Sequence, residues 1–218
     1  YYDKNWHSRL LNLNEKNIKV IIVADDKNFD PTRMYYNLEV VEFNSSTVTQ
    51  LNLEFDDRVQ WRCGDYAYYL AYKKYNFDYA WMIEPDCYLN KISLEDIFTS
   101  DNNADFVCAY LRKSDTNWYW HNTSAYGSET YRCFFPLTRI SGKLVSAMYK
   151  ERLKVGNKMN DELFSASFSL NNNFIVDDLS NIKNIKFTTK SYSYTNIHFG
   201  PLLKLTSGYF SRNNLYHP

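Results

Sequence analysis

Glycine and proline are scarce in this chain, six and five among 218 residues. That scarcity excludes collagen-like and Pro/Gly-rich disordered chains. Net charge is absent too: 25 basic side chains balance 25 acidic ones, so no general field draws the chain to nucleic acid, which is not expected as a partner. Long hydrophobic runs are missing, and the most apolar stretch, Val20 to Ala24, is strand-sized beside the ~20 residues of a membrane helix. Tyr1-Tyr2-Asp3-Lys4-Asn5-Trp6 has no basic segment leading into an apolar core, so it does not read as a signal peptide. The cysteines Cys63, Cys87, Cys108 and Cys133 form no C-x-x-C pair, which argues against a zinc ribbon or a dithiol redox motif and favours reduced thiols.

What the chain does have is enough apolar material for a core, 44% hydrophobic with 23% charged, and an aromatic content of 18% that includes 20 Tyr and 5 Trp. Tyr and Trp pack with their rings while their polar tips hydrogen-bond, which suits sugar or base platforms and equally suits cores and partner surfaces. At about 150 residues per domain, this length predicts one elaborated domain.

The element pattern predicts an α/β fold. Lys19 to Ala24 is a β-branched run ending in Asp25-Asp26, a buried strand with acids at its carboxyl end. Glu39 to Phe43 reads as a second strand and the polar Ser45 to Asn52 as loop. Tyr66 to Tyr75 reads as a helix with Asp65 placed to cap it and lysines near its end. Asp78 to Ile83 is the next strand, and the order strand, helix, strand signals a parallel sheet. Ser93 to Phe98 resembles a capped short helix, and Ala104 to Tyr110 a further strand. Ser114 to Thr130 is an aperiodic loop rich in Trp and Tyr, a candidate lid or acceptor surface. Phe134 to Ile140 leads into a helix over Ser141 to Lys154 stopped by Gly156, and another helix starts near Asn160-Asp161-Glu162.

The sharpest feature is Glu84-Pro85-Asp86 at the end of a predicted strand. Carboxyl ends of parallel strands face the crevice where α/β folds bind ligands. Two carboxylates there suit Mg²⁺ or Mn²⁺, which could in turn grip a pyrophosphate. A solvated strand-end turn accounts for the same spacing about as well.

The runs CGDYAYYLAYKKYNFDYAWMIEPDCYL, NDELFSASF and the terminal LYHP resemble bacterial GT-A-type glycosyltransferases of surface-polysaccharide clusters, over the region from Arg62 to the end. The resemblance implies a GT-A-like single domain over 1–218 with a mostly parallel central sheet flanked by helices. Its nucleotide-binding half would span about 19–112 and its acceptor-side half about 113–218. Glu84-Pro85-Asp86 takes the place of the family's DxD motif, with Glu where the first Asp stands. The resemblance assigns donor contacts to Asp25, Asp26, Arg62 and Asp65 beside Glu84 and Asp86. It makes Glu84 and Asp86 ligands of a divalent cation, with His198 or His217 added, and Glu162 or Asp161 the general base of an inverting enzyme.

The implied activity is transfer of a sugar from a nucleotide-sugar donor, UDP-linked, to a hydroxyl of a lipooligosaccharide, lipopolysaccharide or capsule glycan. A lipid-linked oligosaccharide acceptor would bring peripheral contact with the inner face of the cytoplasmic membrane, for an otherwise cytoplasmic protein. Two rivals stand beside it. A nucleotidyltransferase would use a similar sheet, but Asp25 to Pro31 contains no glycine for a phosphate loop. A non-catalytic carbohydrate-binding or assembly module would use the same aromatic residues without turnover.

Overall fold

The computed structural model describes residues 4–16, 18–25, 30, 35–84, 87–89, 93–100, 102–121, 129–182 and 215–216. In chain order these form α1 (Lys4–Glu15), β1 (Ile21–Ala24), β2 (Glu39–Glu42), α2 (Ser45–Thr49), α3 (Val59–Arg62), α4 (Asp65–Tyr75), β3 (Tyr79–Ile83) and β4 (Tyr88–Leu89). There follow α5 (Leu94–Phe98), β5 (Phe106–Lys113), β6 (Tyr131–Ser141), α6 (Gly142–Val155), α7 (Asp161–Asn171), β7 (Val176–Asp178), a 3-10 turn (Leu179–Asn181) and β8 (Leu215–Tyr216).

The protein is α/β, as the pattern predicts, but its larger sheet is mixed. Its strands lie in the order β3-β6-β5-β7. β6 pairs antiparallel with both β3 and β5, and only β5 and β7 pair in parallel. Three strands therefore run one way with β6 reversed between two of them, which corrects the expectation of a mostly parallel central sheet. β1 and β2 form a separate parallel pair, and β4 pairs antiparallel with β8.

Alternation along the strands builds two cores, because successive strand side chains point to opposite faces. Phe106 and Cys108 face one core while Val107 and Ala109 face the other. On the first face α4, α6 and α7 cover the sheet with Tyr66, Tyr69, Leu144, Met148, Leu163 and Phe164. On the second, α1 supplies Leu13, α5 supplies Leu94 and Ile97, and the 3-10 turn supplies Leu179. The result is a sheet between two helical layers.

Two local sequences behave differently from expectation. The stretch read as loop after Phe43 is helix α2, because Asn44 and Thr47 form a reciprocal capping box: Asn44 Oδ1 accepts from Thr47 N and Thr47 Oγ1 accepts from Asn44 N. Ser93 takes the cap position of α5, yet its side chain makes no cap hydrogen bond. All four cysteines are buried with free thiols. No helix among the described residues is long and apolar enough to cross a membrane.

Candidate functional site

The position of Glu84 follows from an irregularity in β6. Proline has no N–H to give to a ladder, so inside a sheet it is tolerated only at edges and bulges. Pro136 lies in β6 where its register with β5 shifts between Val107 and Ala109. The carbonyl of Pro136 nonetheless accepts from Glu84 N at 2.9 Å and from Cys87 Sγ at 3.5 Å, while Cys87 N donates to Glu84 O at 3.0 Å. The turn after β3 is thus tied at both ends, with Glu84 half-buried at the strand's carboxyl end. Asp86 lies outside the described residues.

A second pair of acids lies at the start of α7. Asn160 caps the helix through Oδ1, which accepts from Leu163 N at 3.1 Å. Behind the cap, Asp161 is buried, with Oδ2 accepting from Gly64 N and Oδ1 from Glu162 N, both at 2.7 Å. Burial, then the charges of Glu162, Asp65 and Glu84, hold its carboxyl well above the usual aspartate range, against the pull of the Gly64 N–H. Glu84, Asp161 and Glu162 thus form an acidic locus in the sense that the charges of the two glutamates act on the buried aspartate. Glu162 is half-buried beside it, and its carbonyl accepts from Cys133 Sγ at 3.5 Å.

Gly64 makes this approach possible, and sequence reasoning gave it no role. Its φ of −57° is ordinary. A Cβ there, however, would stand 2.7 Å from Asp161 Oδ2 and 3.4 Å from the Phe135 ring. The absent side chain is what lets the start of α7 reach the start of α4.

Asp65, expected to hold the donor or cap α4, does not cap the helix. Gly64 occupies the cap position, and Asp65 forms a fully buried ion pair with Arg152 of α6. Arg152 Nε and Nη2 donate to the two carboxylate oxygens at 2.8 Å each, and Tyr69 Oη donates to Oδ2 at 2.6 Å. Arg152 Nη1 donates to the carbonyls of Gly156 and Met159, and the guanidinium lies 3.9 Å from the centre of the Phe164 ring. One side chain therefore fixes α4, α6 and the segment entering α7. Its visible signal was a charge on the line of Leu144 and Met148, the apolar face of α6.

Arg62, expected to meet phosphate, is committed within the fold: Nε donates to Asn157 O at 2.7 Å and Nη2 to Asp56 Oδ2 at 2.6 Å. Asp25 is exposed at the end of β1, where its carbonyl accepts from Gln60 Nε2 at 3.0 Å. Cys63 is buried against the carbonyls of Asn157 and Met159, and burial pushes its thiol up to about 12, so it is no nucleophile at neutral pH. Asp26, His198 and His217 lie outside the described residues.

Among the described residues no group of three His, Cys, Asp or Glu side chains is arranged to hold a metal ion. Asp161 has both oxygens occupied by backbone N–H groups. A set of oxygen donors made of Glu84 and Asp86, the latter outside the described residues, would suit Mg²⁺ or Mn²⁺. No family model, no curated protein and no solved structure matches the chain.

Proposed function

We propose that this protein is a GT-A-like glycosyltransferase that moves a sugar from a nucleotide-sugar donor, UDP-linked, to a hydroxyl of a bacterial surface glycan. The observation that supports the reading is Glu84 just past the carboxyl end of β3, whose charge, with that of Glu162, acts on the buried Asp161 at the start of α7. A crevice at a strand's carboxyl end is where α/β folds place ligands.

In this reading Glu84 and Asp86 would hold a divalent cation, with His198 or His217 as a further ligand. A cation bound there would neutralise charge on the departing diphosphate. Glu162 removes the proton from the acceptor hydroxyl as its oxygen attacks the anomeric carbon. Asp161 does not compete for that proton, since two backbone N–H groups occupy its oxygens and it is buried. Its part is to fix the helix start that presents Glu162. A cytoplasmic location, with the lipid-linked acceptor met at the inner membrane face, completes the proposal.

The test is a thermal-shift panel of UDP, GDP, CDP and CMP and their common sugars, with and without Mn²⁺ or Mg²⁺. A ligand at a hundredfold excess over its Kd adds roughly 2.7 kcal/mol of stability. A metal-dependent shift with one nucleotide, lost in Glu84→Ala and Asp86→Ala, supports the transferase. No shift with any nucleotide overturns it in favour of a carbohydrate-binding module.

A further inference from the structure

Backbone strain marks the place where β5 and β6 lose their shared register. Tyr110 of β5 has a φ of +60°, a conformation that bulky side chains rarely adopt and that glycine usually takes at a bulge of this kind. The result is a one-residue shift. Ala109 pairs with Phe134, and two residues away on β6 Arg132 pairs with Arg112 of β5. An unbroken antiparallel ladder would place Leu111 there. The extra residue instead turns Leu111 toward the first core and sets Arg112 opposite Arg132.

Side chains directly opposed in such a ladder have Cβ atoms about 5 Å apart, and like charges there repel. The hairpin supplies little to offset this. From Phe106 to Ser141 its only acids are Asp115 and Glu129. Glu129 pairs with Lys113 at 2.5 Å, and Asp115 pairs with Arg132 Nη2 at 2.8 Å. Arg112 is exposed and makes no ion pair among the described residues; its Nη1 donates to Tyr110 Oη at 2.6 Å, with the guanidinium 4.1 Å from that ring's centre. Arg132 is held more firmly, 5.0 Å from the Trp118 ring centre, yet its Nε is buried with no hydrogen-bond partner among the described residues. A backbone strained so as to oppose two cations, one without a counter-charge and the other with an unsatisfied N–H, is accounted for by an anion that accepts from both.

We infer that Arg112 and Arg132 form a binding site for a phosphomonoester, free or carried on a sugar. The number of guanidiniums selects the anion. One arginine satisfies a carboxylate in this fold, since Arg152 Nε and Nη2 occupy both oxygens of Asp65. Two arginine forks suit a group with three accepting oxygens and close to two negative charges. The site lies at the same end of the sheet as Glu84, whose N–H donates to Pro136 O of β6, about 13 Å along that strand from Arg132. The site itself does not depend on the transferase reading; only its use for a phosphorylated acceptor rests on it.

The test titrates the full chain by calorimetry with inorganic phosphate and with glucose 6-phosphate, at an ionic strength fixed with sodium chloride. UDP-glucose in Mn²⁺, which has no terminal phosphate, is titrated alongside. Both monoesters, or the sugar phosphate alone, should bind the wild type. Affinity should fall at least about tenfold in Arg112→Gln, the scale of one charge-assisted hydrogen bond. It should stay weakened in Arg112→Lys, which keeps the charge but not the fork. Arg132→Gln should lose binding as well; should it fold poorly without its seat on Trp118, the exposed Arg112 decides the matter. Tighter binding of glucose 6-phosphate assigns a sugar-borne phosphate, and equal affinity a free one, each in support of the site. The site is refuted if neither monoester binds, if binding survives Arg112→Gln, or if that variant loses UDP-glucose and keeps the monoesters. Monoester binding by a wild type that ignores UDP-glucose and other sugar nucleotides would sink the transferase and leave the site standing.

Discussion

Arg152 and Asp65 face each other through two parallel 2.8 Å hydrogen bonds with neither side chain exposed to solvent. Bidentate pairing of this kind is specific in geometry, and its energetic character follows from burial. Removing one partner leaves a charge without water or counterion, which costs about 3–5 kcal/mol, whereas apolar replacement of both can be neutral. Arg152→Ala and Asp65→Ala should each lower stability by that amount in urea denaturation. The double change Arg152→Met with Asp65→Leu should cost less than either single one. Additive losses would show that the pair is not the unit.

Gly64→Ala tests the contact between α4 and α7. The new Cβ would fall 2.7 Å from Asp161 Oδ2, and that oxygen cannot swing away without giving up the Gly64 N–H. Overpacking of this kind costs about 1–3 kcal/mol. Pairing the change with Asp161→Ala should recover part of the loss, read from the midpoints of the three variants. An unaltered Gly64→Ala midpoint would mean that the two helix starts are not rigidly joined.

Much of the framework was legible because its signals were local. β1 and β3 are short apolar runs, β2 has the β-branched pair Val40-Val41 at its centre, and α4, α6 and α7 carry their own periods and stops, such as Gly156 with its φ of +68°. β6 was not legible as a strand, since Pro136 in its middle argues against one until the bulge beside Glu84 is seen. α2 was hidden by its Ser and Thr content, which propensity reads as loop but which the Asn44–Thr47 box turns into a cap. At the site, Glu84, Asp161 and Glu162 could be chosen singly from strand-end and helix-start positions. The seat of Asp161 could not, because it depends on Gly64 and on the Arg152–Asp65 pair, contacts that act across 97 and 87 positions of sequence.

Asp161 predicts a pH dependence of stability. Its native pKa is raised by burial and by Glu162, Asp65 and Glu84, so above the ordinary aspartate range the unfolded chain releases a proton that the native state retains. The unfolded state then binds fewer protons, and stability falls as pH rises through that window. Asp161→Asn removes the titration and should flatten this decline, while losing some absolute stability because its single carbonyl oxygen cannot accept from both N–H groups. Denaturation midpoints from pH 4.5 to 7.5 in EDTA give the comparison. Parallel slopes for wild type and variant would assign the proton elsewhere.

The catalytic assignment separates Glu84 from Glu162 by what each variant loses. Glu162 is presented at the α7 start and needs no cation to act, so Glu162→Gln should leave metal-dependent nucleotide binding intact. It should depress transfer by ~10²-fold or more, the contribution of a positioned general base. The acidic limb of the pH–rate profile should disappear with it, since that limb reports ionisation of the base. Glu84→Ala should show the reverse pattern, weak nucleotide binding in Mn²⁺ as the primary defect. Nucleotide release assayed with saturating acceptor distinguishes the two. A Glu162→Gln enzyme with a near-normal rate would move the base to a residue outside the acidic locus, while leaving Glu84 in place as the donor-side carboxylate.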